Sequence, residues 1–464
     1  MSTVQHFRDA QGLKMTAPNT EAAASFDRAV AAYLGARADT RRLVDNAVRT
    51  DPRGVMARCL DGYLHVQSGT RSGLERAGAL AAQIASSTNG QSVDSREAAH
   101  LAALTAWSRG DLRVAVGEWR ALLAHHPRDI LAIRISQFLL SYLGETEAML
   151  DTVVRVLPAW DDSVPGYGYV LGCHAYALEE AGDYARAEAA GRQAVDVNPE
   201  DIWAAHAVAH VCEMQGRLDQ GVDWISGLSD RWRECNNFAF HLRWHEGLFR
   251  LELEEYTGVL DLYDREVRPR ADQYLDITNA VSLLWRLEQA NVDVGDRWKA
   301  LEARASARLH DHALVFADLH YVMALAAADD ATALERFVDS CRRFAEADGT
   351  EAQVMDDVGL AVARAIVAHR NGAFGDAVEL LLPIRDRIRR IGGSHAQRDL
   401  FAQLLIDSAM RANRLRTAQD LLAERVANRP RGIWGWRHYA DVLVRLDAPG
   451  AAEARRRVAQ LRGH

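Results

Sequence analysis

A chain of 464 residues is too long for one compact core, so it is either several domains or an extended repeat array. Apolar residues make up 48% and charged ones 26%, the balance of a folded soluble protein. A net charge of −9, with acids mixed among the 55 Lys and Arg, disfavours a phosphate-binding surface and so excludes nucleic acid from the expected partners. No apolar run is long enough to span a membrane, and the N-terminal stretch MSTVQHFRDAQGLKM lacks the apolar region of a signal peptide. Five scattered cysteines (Cys59, Cys173, Cys212, Cys235, Cys341), with no Cys-x-x-Cys, read as reduced thiols of a cytoplasmic protein.

In chain order, residues 1–20 read as a loose leader and residues 21–464 as one helical array. Ala, Leu, Arg and Glu dominate, and β-branched alternation is almost absent, which predicts an all-α fold. In EEAGDYARAEAAGRQAVDVNPED a helix stops at Gly182, a second helix carries Ala187 and Ala194, and Pro199 ends it. This spacing resembles the tetratricopeptide repeat, a helix–turn–helix unit of about 34 residues. The landmark recurs at Gly35, Gly69, Gly110, Gly144, Gly182, Gly216, Glu254, Asn291, Ala328, Gly372, Asn413 and Asp447. Gly or Asn accepts the left-handed conformation that ends a helix, and a small residue five positions on (Ala115, Ala187, Gly221, Ala377, Ala418, Ala452) lets two helices approach closely. A single hairpin cannot bury its own apolar stripe, so neighbours must stack. The expected architecture is a tetratricopeptide-like α-solenoid superhelix of about twelve hairpins whose first helices line an inner groove. Breaks in the array are expected at 160–168, 268–273 and 390–397.

The stretch HAVAHVCEM carries His206, His210 and Glu213 at 10, 6 and 3 residues before Gly216. HLRWH carries His241 and His245 at 13 and 9 residues before Glu254. In a tetratricopeptide array these offsets face the groove, so both pairs are expected on neighbouring first helices around one space. Imidazoles with a carboxylate suit a divalent metal, acid–base chemistry, or hydrogen bonding to a peptide or small polar ligand. Structural hydrogen bonding is the fourth alternative. The candidate ligand-binding residues are His206, His210, Glu213, His241, Trp244, His245 and Tyr176, with the four histidines also the candidate metal ligands. A second candidate cluster is Asp311, His312 and Arg398. Ser394 reads as a helix cap, an Arg398–Asp399 pair as structural, and Trp107, Trp203, Trp232 and Trp436 as packing residues.

The stretches HAVAHVCEM, HLRWH, ELLLPIR and IGGSHAQRD together resemble the tetratricopeptide repeat protein 38 family. His206, His210, Glu213 and Met214 match one of its motifs, and His241, Trp244 and His245 another. Gly392, Gly393, Ser394, Ala396, Gln397, Arg398 and Asp399 match a third. Asp311 and His312 match part of a fourth, with His310 in place of its Arg. The resemblance implies an intracellular helical-repeat protein and no particular reaction. The expected function is a binding protein that holds a peptide, protein or small polar molecule in its concave groove through the His/Glu cluster. An enzyme with its active site at the same cluster is the alternative.

Overall fold

The computed structural model describes residues 6–88, 93–269 and 272–463. Twelve helix–turn–helix hairpins follow one another: 20–50, 55–88, 95–125, 130–156, 167–197, 202–228, 238–267, 274–306, 315–345, 350–391, 395–428 and 433–462. The protein is therefore an all-α tetratricopeptide-like solenoid. The turns sit where the landmarks put them. Ten of the landmark residues, from Gly69 to Asp447, have positive φ and so end their helix in the left-handed region. Two landmarks are one residue early. The left-handed residue is Ala36 (φ 49°) rather than Gly35, and Asp329 (φ 62°) rather than Ala328. Asp and Asn tolerate this conformation through local hydrogen bonds, which is why a Gly-based search misses Asp329.

Most of the small residues after the turns do what their size requires: Ala115, Ala187, Ala377 and Ala418 are fully buried and Gly221 is buried, whereas Ala452 in the last hairpin, on which no further hairpin stacks, is exposed. The long tenth hairpin departs from the repeat. A π-helical turn, Met355–Gly359, interrupts its first helix, and a 3-10 stretch, Leu382–Ile391, extends its second. The expected breaks are loops between consecutive hairpins, and residues 270–271 of the second lie outside the described residues. Among the described residues no helix is long and apolar enough to cross a membrane.

The leader is not loose from residue 6 onward. His6–Arg8 and Lys14–Thr16 form an antiparallel pair, with Phe7 opposite Met15. Asp9 shapes the turn by accepting hydrogen bonds from the amides of Gln11 (3.0 Å) and Leu13 (2.9 Å). Its other oxygen pairs with Arg96 at 2.7 Å, while Met15 is buried and the Thr16 amide donates to Glu97 at 2.7 Å. Tertiary anchoring, which no local pattern reveals, orders this segment.

The solenoid winds until later hairpins rest on earlier ones. The first hairpin meets the loop between the sixth and seventh: the Asn236 amide donates to Ala36 O (2.7 Å) and the Ala38 amide to Glu234 O (2.8 Å). The fifth meets the eleventh, where the His395 amide donates to Glu180 (2.9 Å). The seventh meets the twelfth, where the Trp434 amide donates to Glu252 (2.8 Å). Turn glycines serve as contact points. A Cβ on Gly69 would stand 2.7 Å from the Tyr274 ring, and one on Gly216 2.6 Å from the Arg431 side chain. Across the interior, the hydroxyls of Tyr142 and Tyr274 meet at 2.7 Å. The inner wall is thereby closed over much of its length, and polar side chains on it are deeply buried.

One buried ionic network ties the leader to two hairpins, the third and the fourth. Arg96 lies between Asp9 (2.7 Å) and Asp129 (2.5 Å), and Asp129 also accepts from His100 Nε2 (3.1 Å) and caps the Ala132 amide (2.9 Å). Burial opposes the Asp129 charge, yet Arg96 and His100 overcome it and hold the carboxyl well below the usual carboxylate range. Its stabilising contribution is present above about pH 4 and is lost on acidification through the depressed folded value. Asp129→Asn leaves Arg96 under-compensated in the interior, so we expect a loss of about 3–5 kcal/mol of unfolding free energy, measured by urea denaturation at pH 7. The loss should shrink as the pH is lowered toward 4 and below.

Candidate functional site

The fifth, sixth, seventh and eighth hairpins put their first helices (Tyr167–Glu180, Ile202–Met214, Phe238–Glu252, Tyr274–Gln289) side by side. Asp201 caps the second of these by accepting from the amides of Trp203 and Ala204, which sets the phase of the helix. With that phase His206 and His210 lie on one face a turn apart. His241 and His245 do the same on the next helix. All four side chains meet. His206 Nε2 is 2.9 Å from His210 Nε2, 3.1 Å from His241 Nε2 and 3.1 Å from His245 Nε2. One nitrogen from each ring lies within 4.8 Å of the others.

The outward nitrogens have partners of one kind. His241 Nδ1 donates to Asn279 Oδ1 at 3.0 Å, and His245 Nδ1 donates to Glu213 Oε2 at 3.0 Å. His210 Nδ1 lies 3.3 Å from Glu179 Oε2, an ion-pair distance outside hydrogen-bond geometry. The acceptors behind His241 and His245 fix the Nδ1–H tautomer of those two rings, which turns two Nε2 lone pairs toward His206. A neutral His206 carries one ring proton, so its Nε2 can satisfy at most one of them. Such an arrangement is repulsive unless a cation lies among the lone pairs.

The electrostatics say the same. Burial pushes His206 and His245 well below the usual histidine range, with neighbouring imidazoles adding to it, and pushes His241 down to about 3. His210 is the exception. Burial would lower it too, but Glu179 and Glu213 raise it above the ordinary value. The cluster thus has room for a single positive charge, compensated by two carboxylates. Glu213 itself is pushed up to about 7 by burial, and its side chain keeps 10% of its surface.

The rings are held from behind. Trp244 is fully buried and stacks on His241 (5.1 Å, 13°), so it supports the imidazole and does not face a ligand, contrary to its expected role. Tyr176 stacks on His206 (5.8 Å, 27°) and faces a cavity of about 110 Å³ that His206 and His241 also line. His206 and His241 keep 6% and 3% of their surface, while His210 and His245 keep none. At this place the inner wall forms a partly open pocket, to which Gly393, Ser394 and Gln397 at the start of the eleventh hairpin also contribute.

The second candidate cluster does not assemble. His312 Nδ1 is 3.1 Å from Asp318 and its Nε2 2.8 Å from Ser340 Oγ, all three buried. These bonds hold His312 at φ 42°, a strained conformation, and lock the entry to the ninth hairpin. Asp311 pairs with Arg308 at 3.0 Å, whereas Arg398 pairs with Glu180 at 3.2 Å on a different cavity wall. Asp399 pairs bidentately with Arg425 (2.6 and 2.9 Å) rather than with Arg398. Ser394 is the expected cap, in a capping box with Gln397.

Sequence reasoning overlooked Glu179 and Asn279. Glu179 stands three residues before Gly182, the offset that Glu213 has before Gly216, so the rule that found one would have found the other. Asn279 carries no such signal, because the first helix of its hairpin is longer than the repeat.

No family model matches the chain. Among solved structures it is similar to the human IFIT1 dimer with m7Gppp-AAAA, at TM-score 0.40 and 10% identity over 96% of this chain and 90% of that one. It is similar to yeast Tom70 at TM-score 0.37 and 10% identity, over 96% of this chain and 95% of that one. A third likeness is to Naa15/Naa10 bound to HypK-THB, at TM-score 0.26 and 11% identity, over 95% and 76%.

The tautomers are directly measurable. In chelator-treated protein with nitrogen-15 histidine labels, we expect His241 and His245 to show the Nδ1–H form at pH 7 and to remain neutral at pH 5. The unfolded chain, with histidines near about 6.5, binds more protons than the folded one in this range, so these rings make stability fall as pH drops below about 6.5. A cluster that titrates near pH 6.5 contradicts the geometry.

Proposed function

We propose that this is a helical-repeat binding protein whose His/Glu cluster holds one divalent transition metal and presents it to a small polar ligand in the adjoining chamber. The observation that carries the reading is the meeting of four Nε2 atoms at 2.9–3.1 Å around His206. Tetrahedral ligation at about 2.0–2.1 Å separates ligand nitrogens by about 3.3–3.4 Å; the three distances from His206 need lengthen by only a few tenths of an ångström to reach it, and the other nitrogens lie within 4.8 Å of one another. Neutral imidazoles favour zinc and the ions near it in the first transition row over magnesium or calcium. Glu179 and Glu213 behind the rings match the two positive charges and orient the ligands, as outer carboxylates do around metal-bound imidazoles. We read the chain as a member of the tetratricopeptide repeat protein 38 family. The motif residues His206, His210, Glu213, His241 and His245, separated in sequence, support this by converging on one point.

Elemental analysis of the purified chain should find roughly one equivalent of a transition metal. His210→Asn and His245→Asn should each lose most of it, since three remaining ligands with a broken outer shell bind far more weakly. Both variants should melt within a few degrees of the chelator-treated wild type, because the helical core around them is intact. Metal binding should raise the wild-type Tm above that level. If the wild type carries no metal, gains no stability from added zinc, and loses stability strongly on either substitution, the histidines are packing residues and the reading is wrong.

A further inference from the structure

The chamber beside the cluster has a second polar wall that the imidazoles leave unexplained. Arg134, on the first helix of the fourth hairpin, is 9% exposed and lines the same cavity of about 110 Å³ as His206 and His241. Its position is not accidental: it stands ten residues before Gly144, as His206 stands ten before Gly216. Both are inner-wall positions of the repeat. The guanidinium lies over the Trp203 ring, 3.6 Å from its centroid. Its only close polar contacts among the described residues are a 3.4 Å hydrogen bond to Gln137 Oε1 and the Cys173 thiol. Gln137 is itself anchored, because its Nε2 donates to Cys173 O at 2.5 Å. The charge of Arg134 favours the Asp201 carboxylate, but the two form no ion pair: Asp201 Oδ1 caps its helix and its Oδ2 is buried without a hydrogen-bond partner.

A buried arginine without a carboxylate is costly, because the charge has lost water and gained nothing equivalent. Arg96 shows the satisfied case in this same protein, held between Asp9 and Asp129. Arg134 is nearly as buried (9% exposed against 2%), with a stacked and pre-oriented guanidinium and open space in front of it. The space is several times the roughly 10–15 Å³ that one water needs. Trp203 and Phe238 supply flat apolar surface on the same wall, with ring centroids 3.7 Å apart.

We propose that this chamber binds a small organic carboxylate, with its carboxylate on the Arg134 guanidinium and its apolar body against Trp203 and Phe238. A planar fork of donors matches the two oxygens of a carboxylate bidentately, and the flanking aromatic rings suit an organic anion with an apolar body. The inference names the ligand class for the site proposed above, and it rests on Arg134 rather than on the metal. A carboxylate there sits in the chamber that His206 and His241 close, which brings the ligand to the edge of the metal cluster.

The test uses the full-length chain with benzoate and acetate as probes and benzamide as the uncharged isostere of benzoate, read by calorimetry and by thermal shift. Benzoate should bind the wild type and raise its Tm, and benzamide should not. Arg134→Gln should weaken benzoate by about tenfold to a hundredfold while the metal content stays at the wild-type level. Arg134→Lys, which keeps the charge and loses the fork, should fall between them, and it serves if the Gln variant folds poorly. Benzoate binding that depends on Arg134 in a wild type free of metal supports this proposal and overturns the metal reading alone. A metal-loaded wild type that binds neither probe, or equal binding of benzoate and benzamide, overturns the proposal, as does inorganic phosphate binding in preference to benzoate.

Discussion

Everything in this protein follows from one constraint: a two-helix hairpin has an apolar stripe that it cannot bury by itself. Stacking twelve of them satisfies the stripes in sequence, with Ala115, Ala187, Ala377 and Ala418 letting each pair approach to full contact. Stacking with a constant small rotation makes a superhelix, and this one winds far enough for later hairpins to rest on earlier ones. Hydrogen bonds such as the Asn236 amide to Ala36 O and the Trp434 amide to the Glu252 carboxylate then fasten successive turns together. The first helices, which would line an open groove in a looser coil, are enclosed.

Enclosure changes the chemistry of the inner wall. Polar side chains there lose water and must find partners in one another. Two solutions are visible. Arg96, Asp9, Asp129 and His100 form a network in which the charges compensate, and it binds the leader to the array. The histidine cluster solves only half of the same problem. Its outer nitrogens are matched to Glu213, Asn279 and Glu179, while its inner nitrogens face each other at about 3 Å. A fold that gains only stability from its interior has no use for such a focus. Removing imidazoles and packing apolar side chains would relieve it. Local frustration of this kind, inside an array that is otherwise consistent with its sequence, is the mark of a site.

The chamber next to the cluster repeats the theme. Arg134 is buried beside Trp203, with Gln137 and the Cys173 thiol as its close polar contacts, on the position of the fourth hairpin equivalent to that of His206 in the sixth. Uncompensated positive charge on one side and imidazoles on another make a small polar room with apolar faces. Such rooms suit molecules of a few heavy atoms.

The sequence by itself determined the repeat. Gly and Asn at the turns, small residues five positions later, and proline after the second helix are local requirements of a hairpin, so they are legible one unit at a time. Ten of twelve landmarks coincide with the left-handed residue for that reason, and the two that miss do so by one position. The same phase rule brought His206, His210, Glu213, His241 and His245 to one wall, because side-chain direction along a helix is fixed by its period. Tertiary structure alone decided the rest. That residues 6–16 are ordered depends on Asp9 reaching Arg96, a contact 87 residues away that no local pattern encodes. Trp244 faces a neighbouring ring rather than a ligand, and His312 serves a turn rather than a site, because each is set by what packs against it. Whether the inner wall is a groove or a chamber depends on the winding of the superhelix. Winding is the sum of small rotations between neighbouring hairpins, and a sequence read one hairpin at a time does not contain that sum.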